Sequence, residues 1–525
     1  MPCRLLVFGA SVVALSAPAL SLAQTVQPLP ARPLAAQPAA QSASGQQSTL
    51  REALARAYRS NPTLAAERAN LRANDENVPI ARSAGLPQVT SSGTYVENLH
   101  NSSNGSSANS FGNPARQATA GVDLSVPIYS GGAVRNSVRA AETRVRAGRA
   151  DLRSVEAQTF TDVVAAYMDV IRDESIVALN QQNVRVLDVN LQASRDRFEL
   201  GDLTRTDVAQ SEARLAISQG QLRSAEAQLI SSRENYIRVV GEAPGELASP
   251  PPLPGLPTLV EDATRIALDQ NPNLDSIRLA AEASDYDIDV ARAARLPRVS
   301  AFVGGDYNNF LGSLGSGTNV DIRQDSTSAQ AGLSLSMPLF QGGLPAARVR
   351  QAQARRSQTL EIATEVERGV VAQTRSAFAV WQSSQRVIET SQVAVDANRL
   401  SLEGVRAENS VGTRTILDIL DAERELLNAQ VTLVAAQRDA YVAGFALLAA
   451  MGQAEARDLG LDGGPLYDPT INYNRVRGRI SDWADDPEPV SVSTPTITVP
   501  AQNAIVVNQP DPSTIARPPE TPVGD

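Results

Sequence analysis

The sequence predicts a mostly α chain with a small β part, built from one unit used twice. Three observations carry that expectation. Motifs recur in the same order about 210 residues apart. Two long Pro-poor runs place apolar residues every seven positions. Two short stretches, each ending in Gly-Gly, alternate apolar and polar residues.

The chain opens "MPCRLLVFGASVVALSAPALSLAQ", a short positive start, an apolar stretch and small residues before a cut. That is a secretory leader over residues 1–23, with Ser21 and Ala23 at the −3 and −1 positions. Cys3 precedes the apolar stretch, so it leaves with the leader and is misplaced for lipidation. The mature chain is then free of cysteine and of disulfides. Residues 24–48 form an Ala/Pro/Gln-rich linker.

Both repeats begin with a helix-start pattern, Thr49-x-x-Glu52 and Thr258-x-x-Glu261, each read as a capping box. An Asn-Pro pair then opens a second helix, Pro62 to about Ala84 and Pro272 to about Ala294. "ARSAGLPQV" from Ala81 returns as "ARAARLPRV" from Ala291, and "VPIYSGG" from Val126 returns as "MPLFQGG" from Met337. Ala118, Ala120, Val122, Leu124, Val126 and Ile128 alternate with polar or small residues, as do Ala329, Ala331, Leu333, Leu335 and Met337. Period two with one apolar face marks a strand. The partner strands, near Val89 to Val96 and Val299 to Tyr307, are more weakly patterned.

After each Gly-Gly comes a very long helix. Gly132 to about Leu200 lacks proline and, fully helical, extends on the order of 100 Å. Val163, Val170, Val177, Val184, Leu191 and Phe198 keep a seven-residue spacing, as do Trp381, Ile388, Val395 and Leu402. Such a repeat imposes a left-handed supercoil on neighbouring helices. Turns at Gly201 and Gly412 lead into return helices. The expected organisation is a first repeat over 49–241, a Pro-rich linker over 242–257 and a second repeat over 258–452. A tail over 453–525 follows, Pro-rich, acidic and read as disordered from about Pro465.

Nothing else in the chain is available to cover the apolar faces of four strands. A membrane accepts such a face only in a closed barrel, and the smallest single-chain barrels use about eight strands. The sequence therefore asks for several copies of itself, with the long helices as walls of a shared tube.

The leader, the duplication, the two "P-[IL]-[YF]-x-G-G" strand ends and "VGTRTILDILDA" at Val411 to Ala422 resemble the TolC family of outer-membrane efflux proteins. The resemblance covers roughly Thr49 to Gly452. It implies a homotrimer in which four strands per chain build one transmembrane β-barrel and the helices form an α-barrel tunnel in the periplasm. It implies a passive exit duct for efflux or type I secretion, set in outer-membrane lipid and engaged by a periplasmic adaptor and an inner-membrane pump.

The same resemblance assigns a periplasmic gate. Asp418 and Asp421 match a carboxylate ring at the tunnel entrance, six side chains in a trimer. Rings of Asp select cations, and crowding raises some of their pKa values. Arg414 matches an arginine that ties this helix to the first repeat through Thr206 and Asp207. Where the family carries a latch tyrosine this chain has Asn409, which has less reach and implies a looser closed gate. Adaptor contact falls on the turns Leu200-Gly201-Asp202 and Val411-Gly412-Thr413. Alternatively, Arg414 and Asp418, four apart, form a plain exposed helix pair worth a few tenths of a kcal/mol.

Other classes find little support. Aromatics are 4% of the chain, and its one histidine, His100, sits in a Ser/Asn/Gly run. There is no nucleophile–base constellation, so no enzyme, cofactor or metal is expected. The Gly-Gly pairs lack the Lys-Ser/Thr of a phosphate loop. The formal net charge of −10 argues against nucleic acid. No run of about 18 apolar residues follows the leader, so no transmembrane helix is expected. The competing reading is an exported coiled-coil structural or adhesive protein.

Overall fold

The computed structural model describes residues 48–99, 114–253, 255–314, 321–461 and 466–506. The leader, nearly all of the 24–48 linker and His100 lie outside the described residues.

The first repeat runs α1 (Leu50–Ser60), α2 (Pro62–Asp75), α3 (Asn77–Ser83), β1 (Gln88–Glu97), β2 (Arg116–Tyr129), α4 (Ala133–Glu199) and α5 (Arg205–Val240). The second runs α6 (Val260–Gln270), α7 (Pro272–Ala293), β3 (Arg298–Asn309), β4 (Asp325–Ser336), α8 (Leu344–Ser410) and α9 (Ile416–Ala450). Each Asn-Pro pair does the same work twice. Asn61 Oδ1 accepts from the amides of Thr63 and Leu64, and its Nδ2 donates to Val239 O at 2.9 Å. Asn271 caps α7 likewise and donates to Ala450 O at 2.9 Å, so each asparagine also fastens the end of its repeat's return helix.

The repeats are not identical at their starts. Thr49 and Glu52 close the expected capping box. The second box does not form: α6 begins one residue later than that pattern needs, with Leu259 at the cap position and no side-chain cap. The first repeat's second helix is also broken at Glu76, just before Pro79, whereas α7 is continuous.

Four antiparallel strands form one sheet in the order β1-β2-β3-β4. The register aligns Val89, Leu124, Val303 and Ala331 across all four strands, and Ala301 with Leu333 and Val299 with Leu335 beside them. One face is therefore apolar from edge to edge. The opposite face carries Ser92, Asp123, Ser300, Asp306, Ser328 and Gln330. Among the described residues nothing covers the apolar face, and Val89, Val122, Val303, Leu333 and Leu335 are all exposed.

Each Gly-Gly turns strand into helix. Gly131 and Gly132 have φ of 65° and 85°, Gly342 and Gly343 of 57° and 82°, the left-handed region that glycine enters without cost. At Gly131 the space is also closed, because a Cβ would stand 2.8 Å from Leu296 Cβ.

The main core lies midway along the long helices, where Phe160, Tyr167, Tyr236, Phe445, Leu447 and Met451 are fully enclosed. Tyr167 donates to Ala248 O at 2.6 Å and to Ser48 O at 2.9 Å, joining the inter-repeat segment to the start of the first repeat. The seven-residue seam is buried at Val163, Val170, Val177 and Leu191 and again at Val395 and Leu402, while Phe198 near the end of α4 is exposed. α9 is long and apolar enough to cross a membrane by length and composition alone. Half of that stretch is buried, and Phe445, Leu447 and Leu448 belong to the core, so its apolarity reflects packing.

Residues 466–506, the described part of the tail read as disordered, depart from that reading. α10 (Thr470–Val476) lies against α2. Tyr467 N donates to Tyr58 Oη, Asn472 Nδ2 to the buried Asp75, and Arg149 stacks on Tyr473. Arg233 then donates to the carbonyls of Asn503 and Ile505. Sequence periodicity could not show this, because the segment is held by scattered side-chain contacts on helices distant in sequence.

Leu333 is 72% exposed in the single chain. A water-facing sheet would tolerate Leu333→Arg, whereas a lipid-facing sheet loses about 2–4 kcal/mol near the bilayer midplane. Leu333→Arg is expected to deplete the assembled protein from outer-membrane fractions while Gln330→Arg, on the polar face, assembles normally. Equal behaviour of the two variants would contradict the facing.

Candidate functional site

The two long hairpins end in turns of the same design. At the first, Gly201 takes φ 85° and Asp202 N donates to Arg197 O at 2.9 Å. At the second, Gly412 takes φ 81° and Thr413 N donates to Glu408 O at 3.0 Å. Each is a helix ending on a left-handed glycine, which satisfies the last carbonyls. Leu200 and Val411, the residues before these glycines, are 78% and 74% exposed. Two large apolar side chains thus stand in solvent at equivalent places.

A capping box then starts each return helix. Thr204 N and Oγ1 donate to Asp207 at 2.9 and 2.7 Å, and Thr415 N and Oγ1 donate to Asp418 at the same distances. Asp207 and Asp418 are thus helix-cap residues first. Hydrogen bonds from Thr204 and Thr415 hold both carboxyls below their ordinary value of 3.8. In the single chain the cap donors act on Asp418 at bonding distance, whereas the crowding expected of a carboxylate ring arises only between chains.

Arg414 does not reach Thr206 or Asp207 within the chain. Its Nε donates to Glu408 at 2.8 Å, and its Nη1 lies 3.8 Å from Asp418. The plain helix pair is therefore what one chain contains. Thr206 lies exposed in the first turn of α5. Asn409 Nδ2 donates to Arg414 O at 2.7 Å, a local bond that closes its own turn.

Near the tips the partners of Asp421 and of Glu423 are residues the sequence did not single out. Arg214 of α5 donates to Asp421 at 2.7 Å. Glu423 of α9 accepts from Asn190 of α4 at 3.1 Å and from Arg406 of α8 at 3.0 Å. The signal was present in the duplication: Arg406 and Glu423 stand 211 residues after Arg195 and Glu212, a pair 3.7 Å apart in the first hairpin. Among the described residues no group of His, Cys, Asp or Glu could hold a metal.

A sheet with an open apolar face, joined by Gly-Gly bends to paired helical hairpins about 100 Å long, defines an outer-membrane exit duct. Comparison with known proteins agrees. The family model for outer membrane efflux proteins matches residues 35–242 and 264–453. The outer membrane efflux protein BepC of Brucella suis biovar 1 is 33% identical over 436 residues, covering 82% of this chain and 91% of BepC. The outer membrane protein TolC of Escherichia coli K12 is 27% identical over 434 residues, covering 79% of this chain and 84% of TolC. The crystal structure of the Campylobacter jejuni CmeC outer membrane channel superposes with a TM-score of 0.67 at 16% identity, covering 82% of this chain and 89% of CmeC. The chain belongs to the outer membrane efflux protein family, the TolC family, whose members are channels rather than enzymes.

The caps set a pH dependence. A carboxyl whose folded pKa is depressed contributes stability above its unfolded value, and that contribution is lost as pH falls through the lower folded value. For Asp207 and Asp418 the tip turns should therefore stay capped at pH 4 and fail only in stronger acid. Thr415→Ala is expected to speed amide exchange at residues 415–418 several-fold at neutral pH, the effect of a lost N-cap. An NMR titration that placed Asp418 above 3.8 would contradict the cap as the dominant influence.

Proposed function

We propose that three copies of this chain close one β-barrel of twelve strands in the outer membrane and one helical tunnel below it. The observation that supports this is the sheet: among the described residues its apolar face is open, and β1 and β4 leave its two outer edges unpaired. Backbone edges cannot face lipid unsatisfied, so the barrel has to close through other copies. The helices point the same way. α4 packs on α1, α2, α3 and α5 of its own repeat and on α7 and α9 of the other. α8, its equivalent, packs on α6, α7 and α9 and leaves Leu360, Val380 and Val387 exposed, at positions whose α4 equivalents, Arg149, Asp169 and Ile176, are partly buried. By the duplication, α8 matches α2, α3 and α5 of a partner subunit.

In this reading the hairpin tips are the periplasmic gate. Leu200, Gly201, Asp202, Val411, Gly412 and Thr413 offer an adaptor two apolar knobs on rigid turns. An adaptor that engages them, driven by an inner-membrane pump, swings the return helices apart and lets cargo through. Asp418 and Asp421 line the closed entrance, with Arg414 available to a partner subunit's Thr206 and Asp207.

Single-channel recording in planar bilayers tests the assignment. The wild type should give a small, cation-selective conductance. In Asp418→Ala/Asp421→Ala the side chains of Arg214 and Arg414 lose carboxylate neighbours, so selectivity should move towards anions and block by multivalent cations should disappear. Unchanged selectivity would remove the gate assignment, and assembled protein without pores would favour an extended structural rod.

A further inference from the structure

We propose that Glu423 and Glu212 form a ring of clamps, alternately within and between subunits, that holds the tunnel tip shut. The proposal rests on the oligomeric duct described above and adds the residues that keep its helices together.

The inner half of the ring is present in one chain. Glu423 is 6% exposed, near the tip end of α9. Asn190 Nδ2 donates to both of its carboxylate oxygens at 3.1 Å, and Arg406 Nη2 donates to one at 3.0 Å. A buried carboxylate is tolerated only when paired and hydrogen-bonded, and removing its partners is strongly destabilising. Glu423 therefore joins three helices at one point: α4 of the first repeat, and α8 and α9 of the second. An outward swing of α9 breaks the bonds from α4 first, because α8 and α9 belong to the same hairpin.

The outer half follows from the duplication. Arg195 and Glu212 occupy the positions 211 residues before Arg406 and Glu423. In the single chain they lie 3.7 Å apart, and the Glu212 side chain is 65% exposed. What Glu212 lacks is the third helix. The residue equivalent to Asn190 is Ser401, exposed on α8 where Asn190 is half-buried on α4. If α5 meets the next copy's α8 as α9 meets α4, Glu212 faces Ser401 of the partner subunit, whose hydroxyl is a competent donor. The carboxylate belt is thus continuous around the ring, while the chemistry alternates between an amide donor and a hydroxyl donor.

Cys3 is the chain's one cysteine and lies in the predicted leader, so introduced thiols report cleanly. The detergent-purified full-length protein carrying Glu212→Cys with Ser401→Cys is treated with a short bis-thiosulfonate cross-linker, beside Asn190→Cys with Glu423→Cys. The first pair should give covalent dimers and trimers, the second a cross-linked single chain. In bilayers Glu423→Ala and Glu212→Ala should each raise the open fraction at least about tenfold, since every subunit loses a charge-assisted hydrogen bond, with Glu423→Gln intermediate. Failure of the 212/401 pair to link chains, while the 190/423 pair links, would overturn the ring. Unaltered gating in Glu423→Ala that stays assembled would overturn the clamp. Absence of any conductance in assembled wild type would instead overturn the duct, which the cross-linking reads independently.

Discussion

Everything in this chain depends on a sheet that it cannot finish. Four strands share one apolar face, their register keeps that face continuous, and nothing among the described residues covers it. In water such a face would aggregate, and in lipid its two edges would leave amides and carbonyls unsatisfied. Closure through identical copies removes both problems at once. The helical part inherits the same incompleteness, since α8 leaves exposed positions whose α4 equivalents are partly buried.

Duplication gives each repeat the same local solutions and different partners. Asn61 and Asn271 fasten their hairpins identically, and the two tip turns share their left-handed glycine and their Thr-Asp cap. These features are local, so both copies keep them. Contacts across the repeats diverge: Arg214–Asp421 has no counterpart, because the equivalent positions hold Glu425 and Gln210. An assembly of duplicated chains therefore has two kinds of helix interface, one inside the subunit and one between subunits, with tip bonds that differ in chemistry.

What was legible in the sequence was whatever short-range chemistry determines. The strands, the Gly-Gly bends, the long helices and the turns at Gly201 and Gly412 follow from periodicity and glycine placement, and they stand where expected. The family, too, was legible from "VGTRTILDILDA" and the repeat. What failed depended on distance. Thr258 and Glu261 have the spacing of a capping box, but the helix starts a residue later than that box requires. Within one chain Arg414 pairs with Glu408 and Asp418 is capped by Thr415, both partners close in sequence. Asn190, Arg214 and Glu423, which with Asp421 join the hairpins near the tips, look in sequence like any polar positions on long helices. Only the packing shows that Glu423 is buried.

If one chain supplies a third of a barrel, native mass spectrometry of the full-length protein, extracted from outer membranes in mild detergent, should show it. A single species with the mass of three mature chains, persisting as detergent is stripped away, is expected. A monomer, or an even-numbered assembly, would contradict it.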